Sequence, residues 1–379
     1  MTTEVYDRCL RLLATYFHDL NVRVRRHITL YFCSVYLIYA NELHFMVINQ
    51  RSIRTIFKHS VLAASLCASL PSVAAEKICA IYPHLKDSYW LSVNYGMVSE
   101  AEKQGVNLRV LEAGGYPNKS RQEQQLALCT QWGANAIILG TVDPHAYEHN
   151  LKSWVGNTPV FATVNQLDLD EEQSTLLKGE VGVDWYWMGY EAGKYLAERH
   201  PKGSGKTNIA LLLGPRTRGG TKPVTTGFYE AIKNSDIHIV DSFWADNDKE
   251  LQRNLVQRVI DMGNIDYIVG SAVAIEAAIS ELRSADKTHD IGLVSVYLSH
   301  GVYRGLLRNK VLFAPTDKMV QQGRLSVMQA AHYLRHQPYE KQASPIIKPL
   351  TPKTLHDDTI EESLSPSEYR PTFSIKAVD

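Results

Sequence analysis

The chain has 379 residues, enough for two domains, and its 40 lysine and arginine residues balance its 40 aspartate and glutamate residues. A formal net charge of zero argues against nucleic acid or another strongly charged partner, because such partners require a surplus of one sign. An apolar content of 45% with 20 tyrosines is the composition of a globular protein.

The residues before the first domain have the pattern of a secretory signal. Basic residues, the last of them Lys58, precede the short apolar run 61–70, and small residues follow up to Ala75 at the positions that a signal peptidase reads. We therefore expect a signal peptide over 46–75, with cleavage after Ala75 or close to it. The mature chain then lies in the periplasm, with no direct insertion into the membrane.

Residues 1–45 stand upstream of this complete signal, and two interpretations remain for them. The first is a non-native extension that arises from a mis-assigned start codon. The second is a membrane anchor at Ile28–Ala40. Because this run has 13 residues and a bilayer span needs about 20, we favour the first interpretation.

The mature chain keeps two cysteines, Cys79 on the first predicted strand and Cys129 on a predicted helix. Export into an oxidising compartment allows a disulfide between them. Two buried thiols that never meet explain the sequence equally well, so both arrangements stay open. No Cys-x-x-Cys or His-Glu-x-x-His pattern is present, and no metal site is expected.

From Glu76 onward, short apolar runs alternate with amphipathic segments, which is the pattern of a parallel sheet covered by helices on both faces. Strands are predicted at Ile78–Tyr82, Leu108–Glu112, Ala136–Leu139 and Val160–Val164, with helices at Tyr89–Gln104, Ser120–Trp132 and Pro144–Val155. Residues 165–183 interrupt this rhythm, and we interpret them as a connection between domains.

A second series of the same kind follows. Strands are predicted at Ile209–Leu213, Ile237–Trp244, Tyr267–Val269, Gly292–Tyr297 and Val311–Ala314, with helices at Trp185–Arg199, Thr225–Lys233, Lys249–Met262, Ala272–Arg283, Gly301–Arg308 and Met319–Arg335.

The two series predict two α/β units in tandem. Because the chain after residue 290 is too short for a third domain, we expect Gly292–Tyr297 and Val311–Ala314 to return to the first sheet. The predicted architecture is therefore two doubly wound parallel-sheet lobes joined by a three-stranded hinge, with lobe 1 at 76–183 plus 291–317 and lobe 2 at 184–290 plus 318–379. Three crossings between two lobes are typical of hinge bending.

The motifs that would suggest an enzyme are incomplete or stand in the wrong structural context. The run Gly203–Thr207 resembles the end of a phosphate-binding loop, but His200 stands where that pattern needs glycine, and the run follows a predicted helix instead of a strand. No Gly-x-Ser-x-Gly elbow is present. The hypothesis of a periplasmic hydrolase on an α/β sheet is therefore not supported by any nucleophile–base motif.

Aromatic and polar residues recur at the carboxyl ends of the predicted strands, the edge where open α/β sheets bind ligands. Asp87 or Ser88 caps a helix whose first turn carries Tyr89 and Trp90. Further residues at such strand ends are Tyr116, Thr141, Asp143, Trp185, Tyr186, Trp187, Tyr297, Ser299, His300 and Asp317. Packing at the lobe interface explains any single aromatic as well, but the set favours a cleft with aromatic walls.

A small methylated cation or zwitterion suits such a cleft. Sugars also stack on aromatic rings, but their hydroxyls need many polar side chains, which are few near these strand ends. A methyl-covered nitrogen carries a diffuse positive charge that tryptophan and tyrosine faces attract by roughly 0.5–2 kcal/mol each when dry.

Several runs of the chain resemble the periplasmic binding proteins of trimethylamine N-oxide (TMAO) respiratory sensing systems, within the type I periplasmic binding protein family. The similar runs are Ile81–Pro83, Lys86–Trp90, Asn94–Met97, Val110–Tyr116, Gln131–Ala134, Asp246–Asp248, Gln252–Leu255, Tyr297–His300, Val302–Gly305, Ser363–Pro366 and Arg370–Pro371. The resemblance extends from about residue 77 to 373, so it covers the mature chain and leaves out 1–45.

This resemblance implies the type I periplasmic binding protein fold, TMAO binding, and delivery of the signal to the periplasmic sensor domain of a membrane histidine kinase. That kinase belongs to a two-component system that controls TMAO respiration. The resemblance also implies a protein that is not an enzyme and needs no cofactor. The alternative on the same fold is the sugar-binding component of an ABC transporter.

The aromatic ligand box of the family maps onto Trp90, Tyr116, Trp185 and Tyr297, with Asp87 and Tyr89 as polar neighbours. The oxide oxygen of TMAO needs a hydrogen-bond donor. Tyrosine hydroxyls are candidates, and a carboxylate such as that of Asp87 would have to be protonated or act through water. The sequence leaves this choice open.

Overall fold

The computed structural model describes residues 75–216 and 219–377. The predicted extension 1–45 lies outside the described residues, and so does the predicted signal peptide 46–75 except for Ala75. The strands are β1 Lys77–Tyr82, β2 Asn107–Glu112, β3 Ala136–Leu139, β4 Val160–Thr163, β5 Leu177–Val181, β6 Thr207–Leu212, β7 Ile237–Ser242, β8 Tyr267–Gly270, β9 Gly292–Ser295, β10 Ala314–Thr316, β11 Gln342–Ala343, β12 Lys348–Leu350 and β13 Ser374–Ile375. The helices are α1 Ser88–Gln104, α2 Lys119–Gln131, α3 Leu151–Val155, α4 Glu171–Ser174, α5 Trp185–Ala197, α6 Thr221–Ile232, α7 Lys249–Met262, α8 Ala272–Ser284, α9 His300–Leu307, α10 Met319–Leu334 and α11 Asp357–Glu361.

Lobe 1 is built on a sheet with the strand order β11-β5-β4-β3-β1-β2-β13. Its central strand β1 pairs in parallel with β2 on one side and with β3 on the other. Residues Ile78–Tyr82 have no exposed surface, as expected of an apolar strand that is covered on both faces. Because β5 and α4 both fall within residues 165–183, the interpretation of that stretch as a plain connection is wrong.

Lobe 2 is built on a four-stranded parallel sheet with the order β7-β6-β8-β9. β9 pairs in parallel with β8: Gly292 lies opposite Tyr267 at one end, and Ser295 lies opposite Gly270 at the other. Phe313 forms a bridge to Val294 of β9. The expectation that Gly292–Tyr297 and Val311–Ala314 return to the first sheet is therefore wrong. Strands that follow each other through one helix usually pair, and apolar composition does not encode which sheet a strand joins.

Helix α10 lies in lobe 1, against α1 and strands β3 to β5. The two helix backbones touch because the crossing is made by glycines. A Cβ on Gly96 of α1 would lie 2.0 Å from the Val320 carbonyl oxygen, and a Cβ on Gly323 of α10 would lie 2.2 Å from that of Val93. The prediction that placed 318–379 in lobe 2 is thus wrong for α10, and also for β11 and β13, which pair with β5 and β2.

Lobe 2 contains a helix pair of the same kind. A Cβ on Gly189 of α5 would lie 1.9 Å from the Val224 carbonyl oxygen, and a Cβ on Gly227 of α6 would lie 2.0 Å from that of Tyr186. In each lobe, therefore, one close helix contact fixes the position of a helix that starts at the cleft.

Cys79 in β1 and Cys129 in α2 are both buried and are joined by a disulfide, with their Cα atoms 5.7 Å apart. Of the two arrangements that the sequence leaves open, the structure has the bonded one. The bond ties the central strand of lobe 1 to a helix that covers it.

The C-terminal segment connects both lobes. The Ser365 backbone N–H donates to Ser92 Oγ of α1 (3.1 Å), and the Ser365 carbonyl is bonded to His300 Nε2 of α9 (2.8 Å). A further bond joins the lobes directly, since the His300 backbone N–H donates to Ser88 Oγ (3.2 Å).

Candidate ligand-binding site

Four aromatic rings from the two lobes form one cluster at the carboxyl ends of the strands. Tyr89 is the centre of this cluster: its ring centroid lies 6.0 Å from that of Trp90, 6.3 Å from that of Trp185 and 5.6 Å from that of Tyr297. Trp185 and Tyr297 also meet edge to face, at 6.1 Å. All four side chains are buried, with exposed fractions of 1–6%. We call these four residues the aromatic cluster.

Trp90 is held in the cluster by contacts with lobe 1. Its ring stacks on Tyr82 at the end of β1, with centroids 5.5 Å apart. Its Nε1–H donates to the hydroxyl oxygen of Tyr116, which follows β2 (3.3 Å). Tyr116 in turn packs edge to face on His84 at 5.5 Å. The predicted residue Tyr116 therefore borders the aromatic cluster next to Trp90.

Asp87 lies at the start of α1 and acts as its cap. Its carboxylate Oδ1 accepts a hydrogen bond from the Trp90 backbone N–H (3.1 Å), which satisfies one of the free N–H groups of the first turn. His84 Nε2 lies 3.9 Å from its other oxygen. Asp87 thus orients the turn that carries Tyr89 and Trp90.

Asp317 contributes a fully buried carboxylate to the same place. Its Oδ2 accepts a hydrogen bond from the Tyr89 hydroxyl (2.5 Å) and another from Gln322 Nε2 (2.8 Å). The sequence places Asp317 at a strand end but not in the predicted ligand set. Its position directly after β10 is the signal that could have included it, because Tyr89 and Tyr297 also follow strands.

Trp185 is the first residue of α5 and belongs to lobe 2. Its Nε1–H points to the Val164 carbonyl oxygen at the end of β4 (3.5 Å), so the ring bridges the two lobes. A cavity of about 550 Å³ reaches this ring and is also lined by Asn165, Gly182, Gly220 and Ser344.

The other strand-end residues do not enter the cluster. Thr141 and Asp143 bond to each other within a local turn. Trp187 is 49% exposed and packs on Tyr186 and Tyr190. Ser299 caps α9, where its Oγ accepts from the Val302 N–H (3.1 Å).

Aromatic rings that are shielded from water can attract a small cation, since their faces carry the negative part of a quadrupole. The part of the chain that the structure describes contains no group of histidine, cysteine and acidic side chains that could hold a metal ion. Nor does any helix within it have the length and apolar character needed to cross a membrane.

Comparisons with known proteins find a matching family and several similar proteins. The model of the family "Periplasmic binding proteins and sugar binding domain of LacI family" matches residues 75–370. Periplasmic protein TorT of Escherichia coli (strain K12) is 44% identical over 319 residues, which cover 83% of this chain and 90% of TorT.

Two crystal structures of a TorS sensor domain–TorT complex are also similar. In the complex with TMAO present, the similar chain is 99% identical, with a TM-score of 0.77. In the complex without ligand, the identity is 98% and the TM-score 0.76. Each match covers 79% of this chain and 100% of the crystallised chain.

Proposed function

The chain belongs to the family of periplasmic binding proteins and LacI-type sugar-binding domains, with the type I periplasmic binding protein fold, and we propose that it is the periplasmic sensor of a TMAO signalling system. In this role it binds TMAO between its lobes and acts on the sensor domain of a TorS-like membrane histidine kinase. The similarity to TorT, and to TorT chains crystallised with the TorS sensor domain, supports this assignment over a sugar importer component.

The observation that carries the proposal is the meeting of Tyr89, Trp185 and Tyr297 between the lobes. The trimethylammonium part of TMAO is covered by methyl groups and carries a diffuse positive charge. Each ring face contributes about 0.5–2 kcal/mol to such a cation when water is excluded. We assign Trp90, Tyr116, Trp185 and Tyr297 to the walls of the ligand site.

The oxide oxygen is bound by a tyrosine hydroxyl in this proposal. Asp87 Oδ1 is engaged as an acceptor for the Trp90 backbone N–H. The Tyr116 hydroxyl oxygen accepts a hydrogen bond from Trp90 Nε1 (3.3 Å), which places this hydroxyl beside the aromatic cluster. Tyr116 is the proposed donor, because the single hydroxyl proton of Tyr89 is already donated to Asp317 Oδ2. Asp87 and Asp317 hold the surrounding backbone and rings in place.

The size of the ligand sets an upper limit on the affinity. TMAO has five heavy atoms, and at about −1.5 kcal/mol per atom the binding free energy cannot exceed roughly −7.5 kcal/mol, which corresponds to a micromolar dissociation constant. Such an affinity suits a sensor of external concentrations. The protein performs no chemical conversion of TMAO and requires no cofactor.

Titration calorimetry tests the proposal with TMAO and with ribose as the competing ligand. We expect heat with TMAO and none with ribose, and the reverse result would assign the protein to sugar transport. Trp185→Phe should weaken TMAO binding about 3- to 30-fold, the range that corresponds to one cation–π contact. Trp132→Phe serves as the control, because Trp132 lies beside Lys77 and Arg109, away from the aromatic cluster.

A further inference from the structure

A second cavity, of about 480 Å³, lies where the two lobes meet. One wall is α9, which packs on α8 of lobe 2, and another is formed by α1 and α10 of lobe 1. The rest of the lining comes from α11 and from the segment 364–367, which is bonded to α1 through the Ser365 backbone N–H. None of the lining residues belongs to the proposed ligand site. We call this feature the junction cavity.

Each lobe contributes one arginine to the junction cavity, Arg304 from α9 and Arg324 from α10. Within the part of the chain that the structure describes, neither guanidinium has an ion-pair partner. Arg324 is partly buried, and a cation that is withdrawn from water without a partner carries an uncompensated desolvation cost. Glu361 is the one acidic residue of the lining and is exposed. The junction cavity therefore presents two cations that the described chain does not neutralise.

The chemistry of this lining fits a small tetrahedral oxyanion. A guanidinium group is a planar fork that donates two parallel hydrogen bonds to the oxygens of an anion. A tetrahedral dianion has enough oxygens to meet two such forks from different sides, and its charge offsets both. A single carboxylate has one charge and two oxygens, so it can satisfy one arginine but not two. Tyr303 in the same lining carries a hydroxyl that can donate a further bond.

The junction cavity borders a hydrogen bond that joins the lobes. His300 Nε2 is bonded to the Ser365 carbonyl oxygen (2.8 Å), and both residues line the cavity. Helix α1 carries Tyr95 of this lining and also Tyr89 of the aromatic cluster. A change in lobe arrangement therefore alters the junction cavity and the aromatic cluster together.

We propose that the junction cavity binds a tetrahedral oxyanion between Arg304 and Arg324, and that the bound anion strengthens TMAO binding. The anion joins the lobes in the arrangement in which the aromatic cluster is assembled, so the two ligands favour the same state of the protein. The effect on TMAO rests on the proposed function, whereas the anion site itself does not.

Titration calorimetry of the full mature protein tests the site with sodium sulfate and, separately, with sodium phosphate, at an ionic strength held constant with sodium chloride. We expect saturable binding, and the two arms identify the preferred anion. Arg304→Gln and Arg324→Gln should each weaken it about 10-fold or more, because each removes a charged hydrogen-bond donor. Glu361→Gln should tighten it, since the one negative charge of the lining is removed. Sodium acetate should bind at least about 10-fold more weakly than the preferred anion.

Arg308→Gln is the matched control, because Arg308 is an exposed arginine one turn after Arg304 and lies outside the lining. Saturating sulfate or phosphate should raise the TMAO affinity of the wild type at least about twofold, and that of Arg324→Gln much less. Without added anion, TMAO affinity within twofold of wild type shows that each variant is folded.

Anion binding that both Arg304→Gln and Arg324→Gln retain would overturn the site, and so would the absence of saturable binding in the wild type. An unchanged TMAO affinity in the presence of bound anion would overturn the coupling. A wild-type protein that takes up no TMAO would overturn the proposed function, while the anion titration would still decide the site.

Discussion

The rings of Tyr89 and Trp185 lie 6.3 Å apart, although each belongs to the first turn of a helix in a different lobe. Any rotation of one lobe against the other changes this separation. Because both rings belong to the aromatic cluster at the proposed ligand site, ligand binding and lobe arrangement are thermodynamically linked. A partner that prefers one lobe arrangement therefore changes the affinity for TMAO by the same factor by which TMAO changes the affinity for the partner.

Tyr89→Phe tests the contact between the aromatic cluster and Asp317. The substitution keeps the ring but removes the hydroxyl that donates to the buried carboxylate. We expect the free energy of unfolding to fall by about 1–3 kcal/mol, the cost of a lost hydrogen bond to a buried charged group. Urea denaturation measures it, and calorimetry should show weaker TMAO binding. Tyr229→Phe, at a tyrosine that is 46% exposed, should change neither quantity.

Gly96→Ala tests whether the close contact of α1 and α10 positions the site. The added methyl group would lie 2.0 Å from the Val320 carbonyl oxygen, so the helices must move apart. Overpacking of this kind costs about 1–3 kcal/mol of stability. It should also weaken TMAO binding, because Tyr89 and Asp317 stand at the starts of these two helices. Glu102→Ala on the exposed face of α1 is the control, and an affinity loss there as large as that of Gly96→Ala would contradict the explanation.

Removal of the disulfide tests its contribution to lobe 1. The double variant Cys79→Ala with Cys129→Ala should lose up to about 4 kcal/mol of unfolding free energy, since the bond closes a loop of 50 residues. TMAO affinity should persist, because neither cysteine touches the aromatic cluster. A thiol titration of the unfolded wild-type protein should find no free thiol in the mature chain, and two thiols would show that the bond does not form in the exported protein.

The ion pair of Glu76 and Arg335 predicts a pH dependence of stability. Arg335 donates to both carboxylate oxygens (2.8 and 2.9 Å), and this bidentate bond holds the pKa of Glu76 below its ordinary value. The unfolded chain therefore binds the proton first as the pH falls. The stabilisation is present above the ordinary glutamate pKa of about 4.3 and disappears as the pH falls through the lowered pKa.

Glu76→Gln should accordingly lower the free energy of unfolding by about 1–2 kcal/mol at pH 7, as expected for a charged hydrogen-bonded pair that is mostly shielded from water. The difference from wild type should be smaller at pH 3, below the ordinary glutamate pKa, than at pH 7. Urea denaturation at the two pH values measures it. Glu198→Gln, at an exposed glutamate, should show no such dependence, and a constant difference for Glu76→Gln at both pH values would refute the assignment.

The sequence predicts the local elements of this fold well because its signals are local. The apolar run Ile78–Tyr82, the Asp87 cap and the aromatics after it indicate a strand, a turn and a helix, and the structure contains all three. The same signals place Tyr89, Trp90, Tyr116, Trp185 and Tyr297 at strand ends, and the structure brings these residues together.

Local signals could not predict the lobe to which each segment after residue 290 belongs. An apolar strand such as β9 has the same pattern in either sheet, and α10 is joined to lobe 1 by backbone contact at Gly96 and Gly323, which leaves no hydrophobic signal. For the same reason the bond between Tyr89 and Asp317 was not predictable. It depends on two residues that are far apart in the chain and meet only after these helices pack.

The assembly of lobe 1 from both ends of the chain fixes the order in which the protein can be completed. The four-stranded sheet of lobe 2 comes from the single stretch 207–295, so its strands can pair as soon as that stretch has left the export channel. α10 and β13 follow much later, and long-range pairing of this kind is slow. Asp317 reaches Tyr89 only when α10 has packed on α1. We therefore expect a chain truncated before α10 to fold lobe 2 without forming the proposed ligand site.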